Sequence, residues 1–294
     1  MTSGVLVLDK PPGPTSHDMV AVARRALGER RIGHCGTLDP MATGVLVLAV
    51  GQATRLARFL SADDKHYEAA IRFGRVTATF DGTGPVVAES AARPTRETVA
   101  AALSGYRGSF LQTPPAYSAK KVAGERAYDV VRRAGAALEL EPVLVTVREL
   151  ELTAFDGDVA HLSMRVSAGF YVRSLAHDLG QALGMGAVLE GLRRTQSGTF
   201  GLEEAVTVEV LTAADRATLV ERLLPLERLL PQLPSVPLTA EAAASARRGL
   251  DVRAPAAWPA TVPLARLMDE RGHLLAIAKP GPRAGFLHPF VVLN

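Results

Sequence analysis

The stretch Gly33-His34-Cys35-Gly36-Thr37-Leu38-Asp39-Pro40-Met41-Ala42-Thr43-Gly44-Val45-Leu46 decides how the rest of the chain is read. Proline disfavours helical geometry at the residue before it, so Asp39 is expected to be extended or in a turn. Gly33, Gly36 and Gly44 allow tight bends or a close backbone approach. The run from Val45 to Val50 is apolar throughout and reads as a buried strand, a rigid base for the loop. Asp39 is therefore presented on a loop, although an Asp-Pro pair alone is more often a simple turn starter.

Upstream, Val5 to Leu8 reads as a short buried strand. It leads into Asp9-Lys10-Pro11-Pro12-Gly13-Pro14-Thr15-Ser16, where three prolines and a glycine exclude helix. Thr15 or Ser16 is placed to cap a helix in which Met19, Val20, Val22, Ala23, Ala26 and Leu27 recur at helical spacing, and Gly28 ends it. Downstream, a short helix is expected over 54–60, and a half-buried strand over 65–74 carries Tyr67 near its start. Thr95 caps a helix reaching Leu103, with Glu97 in its first turn. Residues 112–135 begin as a loop and continue as a basic helix containing Lys120, Lys121 and Arg126. Asp156-Gly157-Asp158 joins two alternating runs, 145–155 and 159–166, into a β-hairpin. Gly169 precedes a helix with Tyr171 and Arg173 in or near its first turn. Pro231, Pro234 and Pro237 mark a linker over 231–238. A capped helix over 239–249 and strands over 272–278 and 290–293 follow, enough chain for a compact β-barrel.

Composition sets outer bounds. At 294 residues the chain has material for two domains, and 48% apolar with 21% charged residues is ordinary for a soluble globular protein. One cysteine excludes an intrachain disulfide framework and a multi-cysteine zinc site, and fits a reducing cytosol. No signal peptide and no apolar segment of about 20 residues is evident, so neither secretion nor membrane insertion is expected. A net charge of +3 merely permits nucleic-acid binding. What matters is clustering, seen at Arg24, Arg25, Arg30 and Arg31 and again from Lys120 to Arg133, each of which also reads as a solvated helix face.

Four of these stretches resemble motifs of one family, the bacterial tRNA pseudouridine synthases of the TruB type, and they fall in the family's order. The opening stretch is similar to Gly-His-(small)-Gly-(Thr or Ala)-Leu-Asp-Pro-(apolar)-Ala-Thr-Gly, with Cys35 at the small position. Lys10-Pro11-Pro12-Gly13-Pro14-Thr15-Ser16 resembles the Lys-Pro-x-Gly-x-Thr-Ser motif that shapes the active-site floor. Gly169-Phe170-Tyr171-Val172-Arg173 resembles Gly-Thr-Tyr-(Ile or Val)-Arg, with Phe170 in place of threonine, and Leu192-Arg193-Arg194-Thr195 matches the family's Leu-Arg-Arg stretch. The resemblance implies an α+β pseudouridine synthase fold with a mainly antiparallel mixed sheet and a central cleft. It divides the chain into a catalytic domain over 1–230, with a thumb insertion at about 112–135, and a small PUA-like RNA-binding β domain over 239–294.

It also implies roles. Asp39 is the catalytic carboxylate, Arg173 its partner, and Tyr67 the ring that stacks on the target base and assists at C5. His34, Tyr171 and Leu192 define the uracil pocket. Lys120, Lys121 and Arg126 meet RNA from the thumb, and Lys10 either pins RNA or is an exposed lysine beside its turn. The implied reaction converts uridine 55 of the tRNA T-loop to pseudouridine on a flipped-out base, without cofactor or metal, in the cytoplasm. The partner is the tRNA T-arm alone, with no membrane and no obligatory protein, and the enzyme is a monomer. Breaking C1′–N1, turning the uracil and rejoining it through C5 needs no redox step, which suits a chain without a nucleotide-binding glycine fingerprint or a metal-ligand cluster. The carboxylate attacks as a nucleophile or removes a sugar proton. A base-excising glycosylase, a non-catalytic RNA-binding or RNA-folding protein, and a guide-dependent ribosomal RNA synthase are the competing readings.

Overall fold

A computed structural model describes residues 2–117, 140–255, 258–259 and 261–293, together with the backbone of 121–122 and 125–126. Ten strands form the large sheet: β1 (Gly4–Lys10), β2 (Ile32–His34), β3 (Thr43–Val50), β4 (Lys65–Phe73), β5 (Gly108–Gln112), β6 (Val143–Asp156), β7 (Val159–Val166), β8 (Ala187–Ser197), β9 (Phe200–Gly201) and β10 (Val206–Thr207). The order is β10-β1-β3-β8-β4-β7-β6-β5, with β2 added to β3 and β9 to β8. Pairing is antiparallel except for β1 with β10 and β3 with β8. The second exception creates the cleft. β3 and β8 share only Thr43↔Arg193 and Gly44↔Arg194 before they diverge.

The helices follow from their caps and spacing. In α1 (Ser16–Leu27) the Thr15 hydroxyl accepts from the Asp18 N–H while the Asp18 carboxylate accepts from the Thr15 N–H, a capping box that satisfies two end donors. Gly28, at φ 60°, closes the other end. α2 (Ala57–Ala62) follows a 3-10 turn, and α3 (Arg96–Leu103) is capped by Thr95. α4 (Val172–Ala182), α5 (Val208–Ala213) and α6 (Arg216–Glu221) complete the helices of this part. Leu6, Leu8, Leu46 and Leu48 of β1 and β3 pack with Met19, Val20 and Leu27 of α1. A second core joins Ile71, Leu162 and Leu150 to Val99 of α3 and Leu175 and Leu179 of α4. Met41, Tyr67 and Leu192 touch both cores, at the line where the sheet splits.

The opposite faces of β1 and β3 explain why the 45–50 run is apolar throughout. Val5, Val7, Val45, Val47 and Ala49 pack with Leu274, Ile277, Val291 and Leu293 from the C-terminal sheet. That sheet has five strands, β11 (Ser235–Pro237), β12 (Val252–Arg253), β13 (Ala265–Met268), β14 (Leu274–Pro280) and β15 (Phe286–Val292), in the order β11-β13-β14-β15-β12. Its own core takes Ala243 and Ala246 from α7 (Ala240–Arg247), whose N-cap is Thr239. The stretch expected to be linker differs from that expectation. Ser235–Pro237 is an edge strand, paired in parallel with β13.

The expected basic helix in 112–135 falls mostly outside the described residues. Where the backbone is described, Lys121–Val122 and Glu125–Arg126 pair as a short antiparallel ladder instead of opening a helix.

Candidate active site

Asp39 lies in the loop that joins β2 to β3, and the loop is held through its carbonyl groups. A turn brings the Ala42 N–H onto the Asp39 carbonyl at 3.1 Å. The Ser16 hydroxyl accepts from the Leu38 N–H at 2.8 Å and donates to the Leu38 carbonyl at 3.0 Å. Lys10 Nζ donates to the carbonyls of Pro40 at 3.1 Å and Ala42 at 2.7 Å. Arg194, from β8, donates through Nε to Val45 at 2.7 Å and through Nη2 to Gly36 at 3.1 Å, with Nη1 3.4 Å from the Thr37 carbonyl. Three polar side chains from three elements therefore fix the segment that carries Asp39.

Lys10 corrects the sequence reading. It is fully buried, with its ammonium spent on carbonyls of Pro11, Pro40 and Ala42. It is not an exposed lysine, and with all three ammonium donors on carbonyls it has none left for an RNA phosphate. Burial lowers its pKa to about 8, opposed by the nearby Asp39 charge.

Arg173 sits in the first turn of α4, where a positive charge is disfavoured by the helix dipole. Two carboxylates offset this. Nε and Nη2 donate to the two oxygens of Asp39 at 2.8 and 3.0 Å, a bidentate pair, and Nη1 lies 3.9 Å from Asp81. The remaining guanidinium donors meet the carbonyls of Thr79 and Tyr117, each at 3.0 Å. Arg173 is 5% exposed and Asp39 31%, so the cation forms the floor and the carboxylate faces the opening. Asp81 is itself buried and held by Thr79 and Thr83. Between them Phe80 takes a left-handed φ of 63° and stacks on His177 at 3.8 Å. Tyr171 is the N-cap residue of α4 without a side-chain cap; its backbone N–H instead donates to the Gln112 amide oxygen, and the Gln112 amide nitrogen donates back to the Tyr171 carbonyl.

Asp39, Lys65, Tyr67, Tyr171, Arg173 and Leu192 line a single cavity of about 300 Å3 together with Arg194 and flanking backbone. Of the residues singled out in the sequence, the fold therefore gathers Asp39, Tyr67, Tyr171, Arg173 and Leu192. His34 is not among the lining residues; it ends β2 opposite Leu48. Lys120 lies outside the described residues, as do the side chains of Lys121 and Arg126. In sequence Ser16 reads as a candidate helix cap in the floor motif and Arg194 as part of the Leu-Arg-Arg stretch, neither as a support of the Asp39 loop, and Asp81 and Gln112 are not singled out. A hydroxyl, carboxylate or amide tied to groups far along the chain leaves no local pattern.

The profile described as "TruB family pseudouridylate synthase (N terminal domain)" matches residues 24–172, and that described as "tRNA pseudouridylate synthase B C-terminal domain" matches 173–231. The chain belongs to the TruB family. Within it, the tRNA pseudouridine synthase B of Solibacter usitatus is 45% identical over 99% of both chains, and that of Symbiobacterium thermophilum is 48% identical over 84% of this chain and 82% of its own. Among solved structures, the Cbf5 chain of a Cbf5-Nop10-Gar1 complex superposes with a TM-score of 0.75 at 26% identity, covering 100% of this chain and 85% of that one. An H/ACA RNP bound to a substrate RNA containing 2′-deoxyuridine gives 0.74 at 25%, over 99% and 85%. The pseudouridine synthase fold is thus shared across the whole described length, C-terminal sheet included. Among the described residues no helix is long and apolar enough to cross a membrane.

Proposed function

We propose that this TruB-family chain isomerises uridine 55 in the T-loop of tRNA to pseudouridine, acting in the cytoplasm as a monomer on the T-arm without an obligatory protein partner. The observation that carries this reading is the bidentate Asp39–Arg173 pair at the floor of a cavity walled by Tyr67 and Leu192. A uridine in a folded loop reaches such a floor only by leaving its stack, and the Tyr67 ring offers a replacement surface. Base–aromatic stacking is worth roughly 1–3 kcal/mol per base, comparable to the cost of unstacking.

Arg173 presents Asp39 in one orientation, with both oxygens engaged from behind and the carboxylate edge toward the cavity. From there Asp39 attacks the sugar or removes a sugar proton. Either route breaks C1′–N1 and leaves the uracil held between Tyr67 and Leu192 while it turns. C5 then bonds to C1′ as the Asp39–sugar bond breaks or, on the other route, as the sugar proton returns from Asp39. Either way the carboxylate is regenerated, and the C5 proton is lost with assistance from the Tyr67 hydroxyl on the ring that carries the uracil. Tyr171 completes the wall of the cavity beside Tyr67 and Leu192.

The test is tritium release from a T-arm stem-loop labelled at uracil C5. The expected result is release by the intact chain, none by Asp39→Asn, and uracil still attached to the RNA. Free uracil in solution identifies a glycosylase instead. Tight binding with no release from either the stem-loop or full-length tRNA identifies an RNA-binding protein.

A further inference from the structure

We propose that Lys65 and Arg194 form an anion subsite in the wall of the Asp39 cavity, which takes one backbone phosphodiester of the RNA strand next to the flipped nucleotide. This rests on the reading of the cavity as a site for an RNA nucleotide. Both side chains line that cavity, and both are buried, Lys65 at 5% and Arg194 at 1% exposure. They converge on Gly36. A Cβ placed there would lie 3.6 Å from Arg194 Nη1 and 3.9 Å from Lys65 Cε, at a φ of 116° that already favours glycine. The loop thus brings bare backbone to the point where the two cations meet.

The charge pattern is what points to an anion. Arg173 is matched by Asp39 and Asp81. Lys65 and Arg194 are not matched in this way. Lys65 Nζ donates to the carbonyl of Ser61 at 2.6 Å and to that of Asp63, and Arg194 donates to Gly36, Thr37 and Val45. Among the described residues neither has a carboxylate within ion-pair distance. Carbonyl oxygens satisfy hydrogen bonds but cancel no net charge, so two like charges stay desolvated side by side. The cost shows in Lys65, whose pKa is lowered to about 8 by burial and by Arg194, against the opposing charges of Asp63 and Asp64. Asp64 is already engaged by Arg148 and Arg165. An incoming phosphate supplies the missing negative charge where the site is driest, and an ammonium with three donors has one left for it.

The competing account is that Lys65 simply caps the end of α2 through Ser61 and Asp63. A coupling experiment separates the two. T-arm stem-loops carrying one neutral methylphosphonate at each phosphate flanking the target uridine are bound to the intact chain, to Lys65→Met and to Lys65→Arg. At one position the neutral linkage is expected to weaken binding to the intact chain and to Lys65→Arg about tenfold, and to Lys65→Met less than about twofold. Lys65→Met is also expected to lower the salt slope of binding by about 0.7–0.9. Equal losses in all three proteins at every position overturn the subsite and leave the cap.

Should Lys65→Met fail to fold, the intact chain alone suffices. Its preference for the phosphate over the methylphosphonate at that position is expected to shrink as pH rises from 7 to 9, because the ammonium loses its proton near pH 8 when no anion is bound. Cys35, pushed up to about 11, stays neutral across this range, and Arg194 stays charged. A preference that is absent, or flat with pH, refutes the pairing. Tritium release from the unmodified stem-loop in the same assay keeps the two readings apart. Release without phosphate coupling removes the subsite only, whereas loss of both removes the cavity assignment with it.

Discussion

Tyr67 has two separable jobs, and the structure leaves room for both. Its position in β4 places the ring at the seam between two cores, in the cavity beside Asp39, half-buried. A stacking role requires only the ring, whereas proton transfer requires the hydroxyl. Tyr67→Phe is therefore expected to keep RNA affinity within about twofold and to lose turnover by roughly 100-fold or more, the usual scale for a lost general base. Measured by filter binding and by tritium release, equal affinity with equal turnover reduces Tyr67 to a stacking surface. The same separation of ring or charge from position explains Lys10. Sequence placed it beside a proline-rich turn, which suggested exposure. In the fold its stem is enclosed and its ammonium ties two carbonyls of the Asp39 loop. A lysine whose charge is used internally looks the same in sequence as one that is solvated.

At the scale of elements, the cleft depends on how briefly β3 and β8 run together. They pair only at Thr43↔Arg193 and Gly44↔Arg194, and Gly44 has a φ of 98°. A Cβ on Gly44 would collide with the Arg194 carbonyl oxygen, the backbone of the partner strand. The glycine is thus required twice, by its dihedral and by the close approach. Gly44→Ala is expected to lower stability by roughly 2–4 kcal/mol, combining a strained backbone with overpacking. The check is urea unfolding, where the midpoint falls at unchanged m. A loss below about 0.5 kcal/mol would show that the two strands separate freely. Helix ends were legible in advance for a contrasting reason. Thr15, Thr95, Thr239 and Gly28 act through hydrogen bonds or dihedrals within a few residues, so position in the sequence suffices.

The whole molecule unites what the prolines at 231–237 suggested was divided. Leu274, Ile277, Val291 and Leu293 of the C-terminal sheet share one cluster with Val5, Val7, Val45 and Val47 of the large sheet. Phe59 and Phe290 meet edge to face at 6.2 Å, and the Arg58 guanidinium lies 4.8 Å from the Phe290 ring centre. Arg266 of β13 donates to the carbonyls of Glu227, Leu229 and Leu233. With a continuous apolar core between them, the two sheets are expected to unfold together in one calorimetric transition. Two resolved transitions would mean that the shared cluster contributes little coupling. Phe290→Ala is expected to shift that transition downward without splitting it.

Sequence by itself determined the elements whose causes are local: the capped helices, the hairpin around Asp156-Gly157-Asp158, the buried strand 45–50, and the carboxylate placed on a loop ahead of it. It also determined the family, because four motifs in order are a property of the chain. The tertiary structure decided which charges are paired. Asp39 and Arg173 lie 134 residues apart, Arg194 reaches the Asp39 loop from 149 or more residues away, and Asp81 and Gln112 enter from still other segments. Burial removes water as the alternative partner, so each of these polar groups must find another across the fold. That requirement operates through space, and a linear pattern carries no record of it.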